Sequence, residues 1–246
     1  MGLYIEAHIR ADMDDLWTRT QTPSEHQRWD LRFTEIDYLP RAQDEPQRFR
    51  YATRVLPFVT VSGTGVAAGE RERPDGTRTS ALRFASPHPL SLLKEGSGYW
   101  RYVPEGDGVR FITGYDYQPR WGRFGRVADR LLFRPLMVWA TAWSFDRLRL
   151  WLERGITPER ALWNWIAELA FRVAVLVTAV TGLGLGPLAR YTPPLYYLFP
   201  QLLLVAACMA VFKAHLSCVP SARRCVRRAP ARARAPRLMR ALETPR

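Results

Sequence analysis

The side chains that most often catalyse reactions or bind metals are scattered in this sequence. The four histidines, His8, His26, His88 and His215, lie far apart and are interpreted as lacking a carboxylate or cysteine at metal-ligand spacing. No nucleophile elbow, phosphate-binding loop or dinucleotide fingerprint occurs. The sequence therefore predicts no metal site and no cofactor, and His26, beside Glu25, is interpreted as a surface residue.

Acid–base chemistry has a few candidates in the predicted strands that end the first part of the chain. The polar groups that could serve an enzyme acting on an apolar substrate are Arg101, Tyr115, Asp116 and Tyr117. In an extended strand Tyr115 and Tyr117 share a face, and Asp116 points to the other. This weakens a mechanism in which a carboxylate acts as the base, so the sequence does not decide between an enzyme and a binding protein.

Binding of an apolar molecule has stronger candidates. Alternation places aromatic and apolar side chains on one face of several strands, and two tryptophans four residues apart share a face of the following helix. The predicted ligand-binding residues are Phe49, Tyr51, Leu82, Phe84, Phe111, Thr113, Tyr115, Trp139 and Trp143. Each of these side chains could equally pack a core, and the sequence leaves that alternative open.

These side chains depend on a particular order of elements. The pattern predicts a strand at 3–9, helices at 13–20 and 22–28, and a long helix at 126–153 that stops at Gly155. Between the helices it predicts strands at 33–38, 48–55, 63–72, 78–85, 96–103 and 109–117. A run of strands followed by a helix predicts an α+β domain over 1–155.

Two stretches of this region carry a family resemblance. The opening YIEAHIRADMDDLWTRTQTPSEHQRWDLRFTEI has a strand, a helix with Leu16-Trp17, a Thr-Pro turn, and then His26 and Trp29-Asp30. Together with the closing RVADRLLFRPLMVWATAWSFDRLRLWLERG, it resembles the START-like or SRPBCC superfamily, which includes polyketide cyclase/dehydrase-like and lipid-transfer proteins. The resemblance implies a helix-grip fold, in which a curved antiparallel sheet surrounds the long helix. It also implies an apolar or amphipathic ligand between them.

The region 156–219 has the composition of a membrane hairpin. Two apolar stretches, at about 163–188 and 195–215, are separated by a short link, and each is long enough to supply the roughly 20 residues that cross a bilayer core. Glu168 and Arg172 precede the uncharged part of the first stretch and are interpreted as an interfacial pair. Arginines flank the hairpin, and no signal peptide opens the chain. The positive-inside rule therefore predicts an inner-membrane protein with its N-terminal domain and tail in the cytoplasm.

The charge of the chain is concentrated at its end. Of a net charge of +13, the segment 220–246 contributes +8, from nine arginines and Glu243. Pro220, Pro230 and Pro236 interrupt this segment, which has no aromatic residue. It is therefore interpreted as a disordered tail that contacts anionic lipids, with no nucleic acid expected as a partner.

These observations favour a membrane-tethered binding or carrier protein for a hydrophobic small molecule such as a lipid, a quinone or a polyketide-like compound. Two alternatives remain open from the sequence. One is a cyclase/dehydrase-type enzyme that acts on an apolar substrate in the same cavity. The other is a membrane-anchored protein-interaction module.

Overall fold

The computed structural model describes residues 2–41, 45–56, 59–89, 91–184 and 198–230. The chain divides into two compact units. Unit 1 comprises residues 1–158 together with 221–246, and unit 2 comprises residues 159–220. The chain thus leaves unit 1, forms unit 2, and returns to unit 1.

The described strands of unit 1 form one antiparallel sheet of seven strands, in the order β1-β7-β6-β5-β4-β3-β2. From β2 to β7 each strand pairs with the next in sequence, and β1 pairs with β7. The strands are β1 (Leu3–Ile9), β2 (Glu35–Tyr38), β3 (Arg48–Leu56), β4 (Val59–Glu72), β5 (Arg78–Ala85), β6 (Leu93–Glu105) and β7 (Gly108–Pro119). The α+β prediction is confirmed. Register shifts in β3, β4 and β6 are of the kind that bends a sheet.

Two short helices connect β1 to β2, as the sequence predicts. Helix α1 (Met13–Gln21) begins after Asp12, whose carboxylate accepts a hydrogen bond from the amide of Asp14 at 2.8 Å. Helix α2 (Pro23–Trp29) has a proline in its first position, where a missing amide hydrogen costs no helical hydrogen bond. These helices and the turn after them place His26 and Trp29 against Trp100, and Phe33 against Tyr51 of the sheet.

The long helix expected at 126–153 is three consecutive pieces in the structure. Helix α3 (Gly122–Ala128) leads through a π-helical turn (Asp129–Phe133) into α4 (Arg134–Arg154). Helix α4 ends at Gly155, which has the left-handed conformation (φ 64°) expected of a C-terminal cap. The π-helical turn changes which side chains face the sheet on either side of it.

Helix α4 packs against β1 and β7, which are neighbours at one edge of the sheet. Phe145 of α4 stacks on Phe111 of β7 with ring centroids 4.4 Å apart, and Phe111 in turn stacks on Tyr102 of β6 at 5.0 Å. Trp29 lies against Phe145 and is fully buried. This end of unit 1 is a packed aromatic core, so any cavity must lie toward the other end.

A second side of α4 holds the chain where it returns from unit 2. Asp146 is fully buried and accepts hydrogen bonds from the Ser221 amide at 2.7 Å and from Arg224 Nη1 at 2.8 Å. Cys225 donates through Sγ to the Ala142 carbonyl at 3.3 Å. The disorder predicted for 220–246 is therefore wrong for residues 221–225, because a buried carboxylate binds them. Residues 231–246 lie outside the described part of the chain.

The returning segment also covers the edge of the sheet. Glu6 of β1 and Val226 exchange two backbone hydrogen bonds, each 2.9 Å long. An edge strand exposes unpaired backbone groups that can pair with another chain, and Val226 satisfies some of those of β1.

Unit 2 contains helix α6 (Leu198–Phe212) and all but the first residue of helix α5 (Pro158–Gly184). That first residue, Pro158, ends the first segment of unit 1. Among the described residues one helix, over Pro158–Thr181, is long and apolar enough to cross a membrane. Helix α6 has 15 residues, fewer than the stretch expected at 195–215. Residues 185–197, which include the link of the predicted hairpin, lie outside the described residues.

The expected Glu168–Arg172 pair is present within unit 2. Arg172 Nε lies 2.8 Å from Glu168 Oε1, and Arg172 Nη1 donates to the carbonyl of Ala210 at 2.7 Å. Glu168 also lies 2.8 Å from Nδ1 of His215. These contacts tie α5 to the last turn of α6 and to the residues after it.

Candidate functional site

A cavity of about 370 Å³ lies against the inner face of the sheet, the face toward which Phe49, Tyr51 and Leu82 point. Its volume is within the range of small-molecule sites, and its surface is mainly apolar. The sheet contributes side chains from β2 to β7, α2 contributes Pro23 and His26, and the helical segment that covers the sheet contributes Phe133 and Met137. The cavity thus lies between sheet and helix, where the sequence predicts a ligand.

Glycines on the inner face explain why the aromatic side chains do not fill this space. Gly63 pairs with Tyr51 and Gly65 pairs with Phe49 across β3 and β4. A Cβ added at Gly63 would lie 2.4 Å from the Tyr51 ring, and one at Gly65 would lie 2.2 Å from the Phe49 ring. The two rings therefore lie flat over the glycines, along the sheet, and the volume above them stays open.

One wall of the cavity is polar and charged. Arg32, which follows α2, binds the carboxylate of Asp30 through both Nε (2.9 Å) and Nη2 (2.6 Å). Nε2 of His26, one helical turn before Asp30, lies 3.0 Å from the same carboxylate. Asp30 is fully buried, and both Arg32 and His26 line the cavity. A cation and an imidazole thus lie on an otherwise apolar surface.

The environment fixes the protonation of these groups. Burial opposes ionisation of Asp30, but the attraction of Arg32 and the hydrogen bonds from Arg32 and His26 outweigh it and hold the pKa of Asp30 below its usual value. Burial lowers the pKa of His26, and the hydrogen bond to Asp30 opposes this only partly. At neutral pH the group is an Asp30–Arg32 ion pair with a neutral His26 that donates from Nε2.

Tyrosine hydroxyls in and near the cavity have partners. The Tyr115 hydroxyl lies 2.9 Å from Thr141 Oγ1 of α4, and the guanidinium of Arg32 lies 5.5 Å from the Tyr115 ring. The Tyr102 hydroxyl lies 2.7 Å from Thr20 Oγ1 and accepts from Gln21 Nε2 at 2.8 Å. These hydrogen bonds extend the polar wall from α1 to α4.

Most of the predicted site residues are at this cavity, but three are elsewhere. The cavity is lined by Phe49, Tyr51, Leu82, Phe84, Thr113 and Tyr115. Phe111, Trp139 and Trp143 are not among the residues that line this cavity. Phe111 is packed between Tyr102 and Phe145 in the aromatic core. Trp139 and Trp143 stack on each other, and Trp143 lies beside Arg147, which binds the carbonyl of Pro158 on a different side of α4 from Phe145.

The polar candidates from β6 and β7 do not meet at the cavity. Asp116 is exposed, as its phase in the strand predicts. The Tyr117 hydroxyl donates to the carboxylate of Asp129 in the π-helical turn. Arg101 lies near the ring of Tyr99 at 5.5 Å. Of the four candidates, Tyr115 alone lines the cavity.

Sequence reasoning missed the charged wall. His26 was expected on the surface, but its side chain is 12% exposed and faces the cavity. The signal was present in the sequence, since His26 and Asp30 are separated by four residues and Asp30 and Arg32 by two. The first spacing places two side chains on one face of a helix. Within the described residues, no group of three or more histidine, cysteine, aspartate or glutamate side chains could hold a metal ion.

Comparison with known proteins adds a relative and several similar structures. No family model matches the chain. Over 159 residues, 64% of this chain, it is 50% identical to the uncharacterized membrane protein YndG of Bacillus subtilis strain 168, and the match covers 59% of that protein's length.

Among solved structures, a STAR-related lipid transfer protein from Xanthomonas axonopodis has a TM-score of 0.46 and 19% identity, over 61% of this chain and 84% of that one. The Zhui aromatase/cyclase from Streptomyces sp. R1128 has a TM-score of 0.47 and 14% identity, over 61% of this chain and 91% of that one.

Proposed function

We propose that this chain is a membrane-tethered binding or carrier protein for a hydrophobic small molecule, such as a lipid, a quinone or a polyketide-like compound. The observation that carries the proposal is the cavity itself. Rings lying flat over Gly63 and Gly65 keep an apolar volume open that a purely structural core would fill. The order of elements in unit 1 supports membership of the START-like superfamily.

The charged wall supports a particular kind of ligand. Arg32 and His26 lie on one side of the cavity, whereas Leu82, Phe84 and Met137 on its other walls offer only apolar contact. The ligand we propose is mainly hydrocarbon, with one polar group that accepts a hydrogen bond. A second charged group on the ligand would have no partner among these walls and would be costly to desolvate.

Helix α5 supports the membrane tether. Its 27 residues extend about 40 Å, enough to cross the hydrocarbon core of a bilayer. In its most apolar stretch 11% of the residues are buried, whereas a helix in the core of a water-soluble domain would be mostly buried. The name of the Bacillus subtilis relative, a membrane protein, points the same way.

The connections of unit 2 support a hairpin with both ends on one side of the membrane. Arg147 Nε binds the carbonyl of Pro158, where the chain leaves unit 1, and Asp146 binds the amide of Ser221, where it returns. Neighbouring residues of α4 thus bind the two residues of unit 1 between which unit 2 is inserted in the chain. A chain that leaves and returns at the same place crosses a membrane an even number of times, so the proposal includes a second span, in the apolar stretch that the sequence predicts at about 195–215.

Charge supports the orientation. Arginines flank both ends of unit 2, and the positive-inside rule then places unit 1 and the tail in the cytoplasm, at the inner membrane. In that orientation the guanidinium of Arg172 reaches the interface, and the tail arginines contact anionic lipids.

Blocking the cavity tests the binding proposal. Leu82→Trp places an indole in the cavity, and Arg83→Trp places the same ring at the neighbouring exposed position on the outer face. We expect a fluorescent fatty-acid probe to bind the full chain in detergent micelles, and Leu82→Trp to weaken binding at least tenfold (about 1.4 kcal/mol). Arg83→Trp is expected to bind the probe as the unchanged chain does. Equal affinity in both variants would contradict a site in this cavity.

One observation favours the enzyme alternative. His26 is held by Asp30 through Nε2 and is neutral, which is the state of a general base. An enzyme of the cyclase/dehydrase type would use His26 to remove a proton from an apolar carbonyl substrate whose oxygen is bound by Arg32. His26→Gln would then abolish turnover and leave binding of the fatty-acid probe intact. If the protein is a carrier, His26→Gln should change neither the binding of the fatty-acid probe nor its exchange with the lipid bilayer.

A further inference from the structure

Four large apolar side chains of unit 1 lie in solvent next to the cavity. Phe124 and Leu131 are each 73% exposed, Leu132 is 70% exposed and Val127 is 57% exposed. All four lie within the nine positions 124–132, from α3 to the π-helical turn. We call these four side chains the apolar ridge. Exposed apolar residues this concentrated are typical of a surface that binds a partner or a membrane.

The charges around the apolar ridge are almost all positive. Arg123, Arg126 and Arg130 alternate with its side chains and are exposed. The one acidic residue between 121 and 136, Asp129, is buried, accepts a hydrogen bond from Tyr117 and lies 3.5 Å from Arg134 Nε. The carboxylate is therefore turned inward, and the surface that remains is apolar and basic.

This segment is also part of the cavity wall. Phe133 directly follows Leu132, lines the cavity and packs edge-on against Tyr117, with ring centroids 5.7 Å apart. Met137, one turn later, lines the cavity as well. At the π-helical turn Leu132 faces solvent and Phe133, the next residue, faces the cavity. The apolar ridge and the helical wall of the cavity therefore belong to one short stretch of chain.

From this arrangement we propose that residues 121–132 form a docking surface for an anionic lipid bilayer. Arginines interleaved with phenylalanine, valine and leucine are the composition of helices that lie in the membrane interface. Trp121, 44% exposed at the start of the segment, is a residue type enriched at that interface. Asp129, the one acidic residue of this segment, is buried. No exposed carboxylate of the segment would therefore repel an anionic surface.

Docking would bring the helical wall of the cavity to the lipid surface. A hydrophobic ligand could then pass between bilayer and cavity along Phe133 and Met137 with little exposure to water. This inference goes beyond the proposed tether, because it concerns unit 1 alone and holds whether or not α5 crosses the membrane.

The test places a fluorescent label on the apolar ridge of the full chain. Leu131→Cys carries an environment-sensitive NBD label, and Asp107→Cys, at the tip of the β6–β7 hairpin, carries it as the control. Both are made with Cys208→Ser and Cys218→Ser, whereas the buried Cys225 is kept. The chain is reconstituted into phosphatidylcholine nanodiscs with and without phosphatidylglycerol, and a nitroxide lipid serves as the quencher.

We expect the nitroxide lipid to quench the label at 131 in discs that contain phosphatidylglycerol and to leave the label at 107 unquenched. Replacing Arg123, Arg126 and Arg130 by Gln should abolish the difference, because each arginine near an anionic surface favours docking by about fivefold. The matched control replaces three other arginines by Gln, namely Arg71, Arg73 and Arg83. It removes the same charge from the outer face of the sheet and should leave quenching unchanged.

Two results would overturn the proposal. In the first, the chain stays with the discs, but the label at 131 is as accessible to water as the label at 107. That result would mean that the chain is tethered and that unit 1 does not dock. The other is equal quenching at 131 with and without phosphatidylglycerol, which would mean contact without recognition of anionic lipid. Release of the chain from the discs would instead contradict the tether, and the same labels would then report docking on added vesicles.

Discussion

At the scale of single residues, the unusual feature of this protein is an ion pair in the wall of an apolar cavity. Asp30 is fully buried, and Arg32 satisfies both of its carboxylate oxygens. Pairing makes the two charges tolerable, but a buried ion pair contributes little net stability compared with apolar residues of similar volume. We therefore expect the pair to serve ligand binding. We also expect the free energy of unfolding to fall when one partner is replaced and the other stays charged.

Arg32→Met is expected to lower the free energy of unfolding by about 3–5 kcal/mol, because it leaves the carboxylate of Asp30 buried without a counter-charge. Combining it with Asp30→Asn should restore a large part of this loss and still abolish binding of a ligand with a polar group. Thermal unfolding of both variants in detergent, followed by near-UV circular dichroism, measures the effect. Equal destabilisation of the single and double variants would contradict it.

His26 makes the stability of unit 1 sensitive to mild acid. Burial holds the pKa of His26 in the folded chain below its ordinary value of 6.5. As the pH falls through about 6.5, the unfolded chain takes up a proton at this histidine that the folded chain does not, so stability falls. Above that pH its contribution is fully present. His26→Gln should remove this loss between about pH 7.5 and pH 5.5, measured by the midpoint of thermal unfolding. An unchanged slope in the variant would contradict a buried neutral His26.

At the scale of elements, the sheet was easier to predict than the helix over it. Strand alternation correctly assigns Phe49, Leu82 and Tyr115 to the inner face, because a period of two survives small errors in strand ends. The same reasoning fails for α4, where every residue from 140 to 148 is buried. A helix covered on several sides shows no single apolar stripe, so its sequence did not reveal that Trp139 and Trp143 face away from the cavity.

Other parts of the site were beyond reach from the sequence for definite reasons. The charged wall joins His26 of α2 to Asp30 and Arg32, which follow that helix. These side chains are buried by tertiary packing, which the spacing of the residues does not predict. The π-helical turn at 129–133 has no simple sequence signal. The docking of residues 221–225 depends on the buried carboxylate of Asp146, more than 70 positions earlier in the chain.

The fit between glycines and rings on the inner face is testable. Gly65→Ala would place a Cβ 2.2 Å from the Phe49 ring, so the ring must turn into the cavity. We expect a loss of about 1–3 kcal/mol in the free energy of unfolding, as for an overpacked core, and weaker binding of the fatty-acid probe. Thr64→Ala, at the neighbouring exposed position, is the control and should change neither measurement.

The contact between α4 and the returning segment predicts the reactivity of a thiol. Burial raises the pKa of Cys225 to about 12, so little thiolate exists at neutral pH. N-ethylmaleimide should therefore leave Cys225 unmodified in the folded chain. Asp146→Asn removes the charge that holds Arg224, and we expect labelling of Cys225 to become at least tenfold faster, measured by peptide mass spectrometry. Asp107→Asn, an exposed carboxylate at a hairpin tip, should have no effect. Protection of Cys225 in Asp146→Asn would contradict this account of the contact.

At the scale of the whole molecule, the two units have separate physical requirements. Unit 1 keeps an apolar volume open beside its sheet, and unit 2 has exposed apolar side chains along a helix long enough to cross a bilayer. A ligand that partitions into lipid is scarce in water, so a binding protein held at the bilayer meets it at a far higher local concentration. The proposed function joins these two properties.

The most direct test of this account is mass spectrometry of what the full chain carries when it is purified from membranes in mild detergent. We expect organic extraction to release a mainly hydrocarbon molecule with one polar group, in near-stoichiometric amount, from the unchanged chain and from Arg83→Trp. The same extraction of Leu82→Trp should release little or none. An empty cavity in all three chains, or the same molecule at equal occupancy in Leu82→Trp, would contradict the central claim.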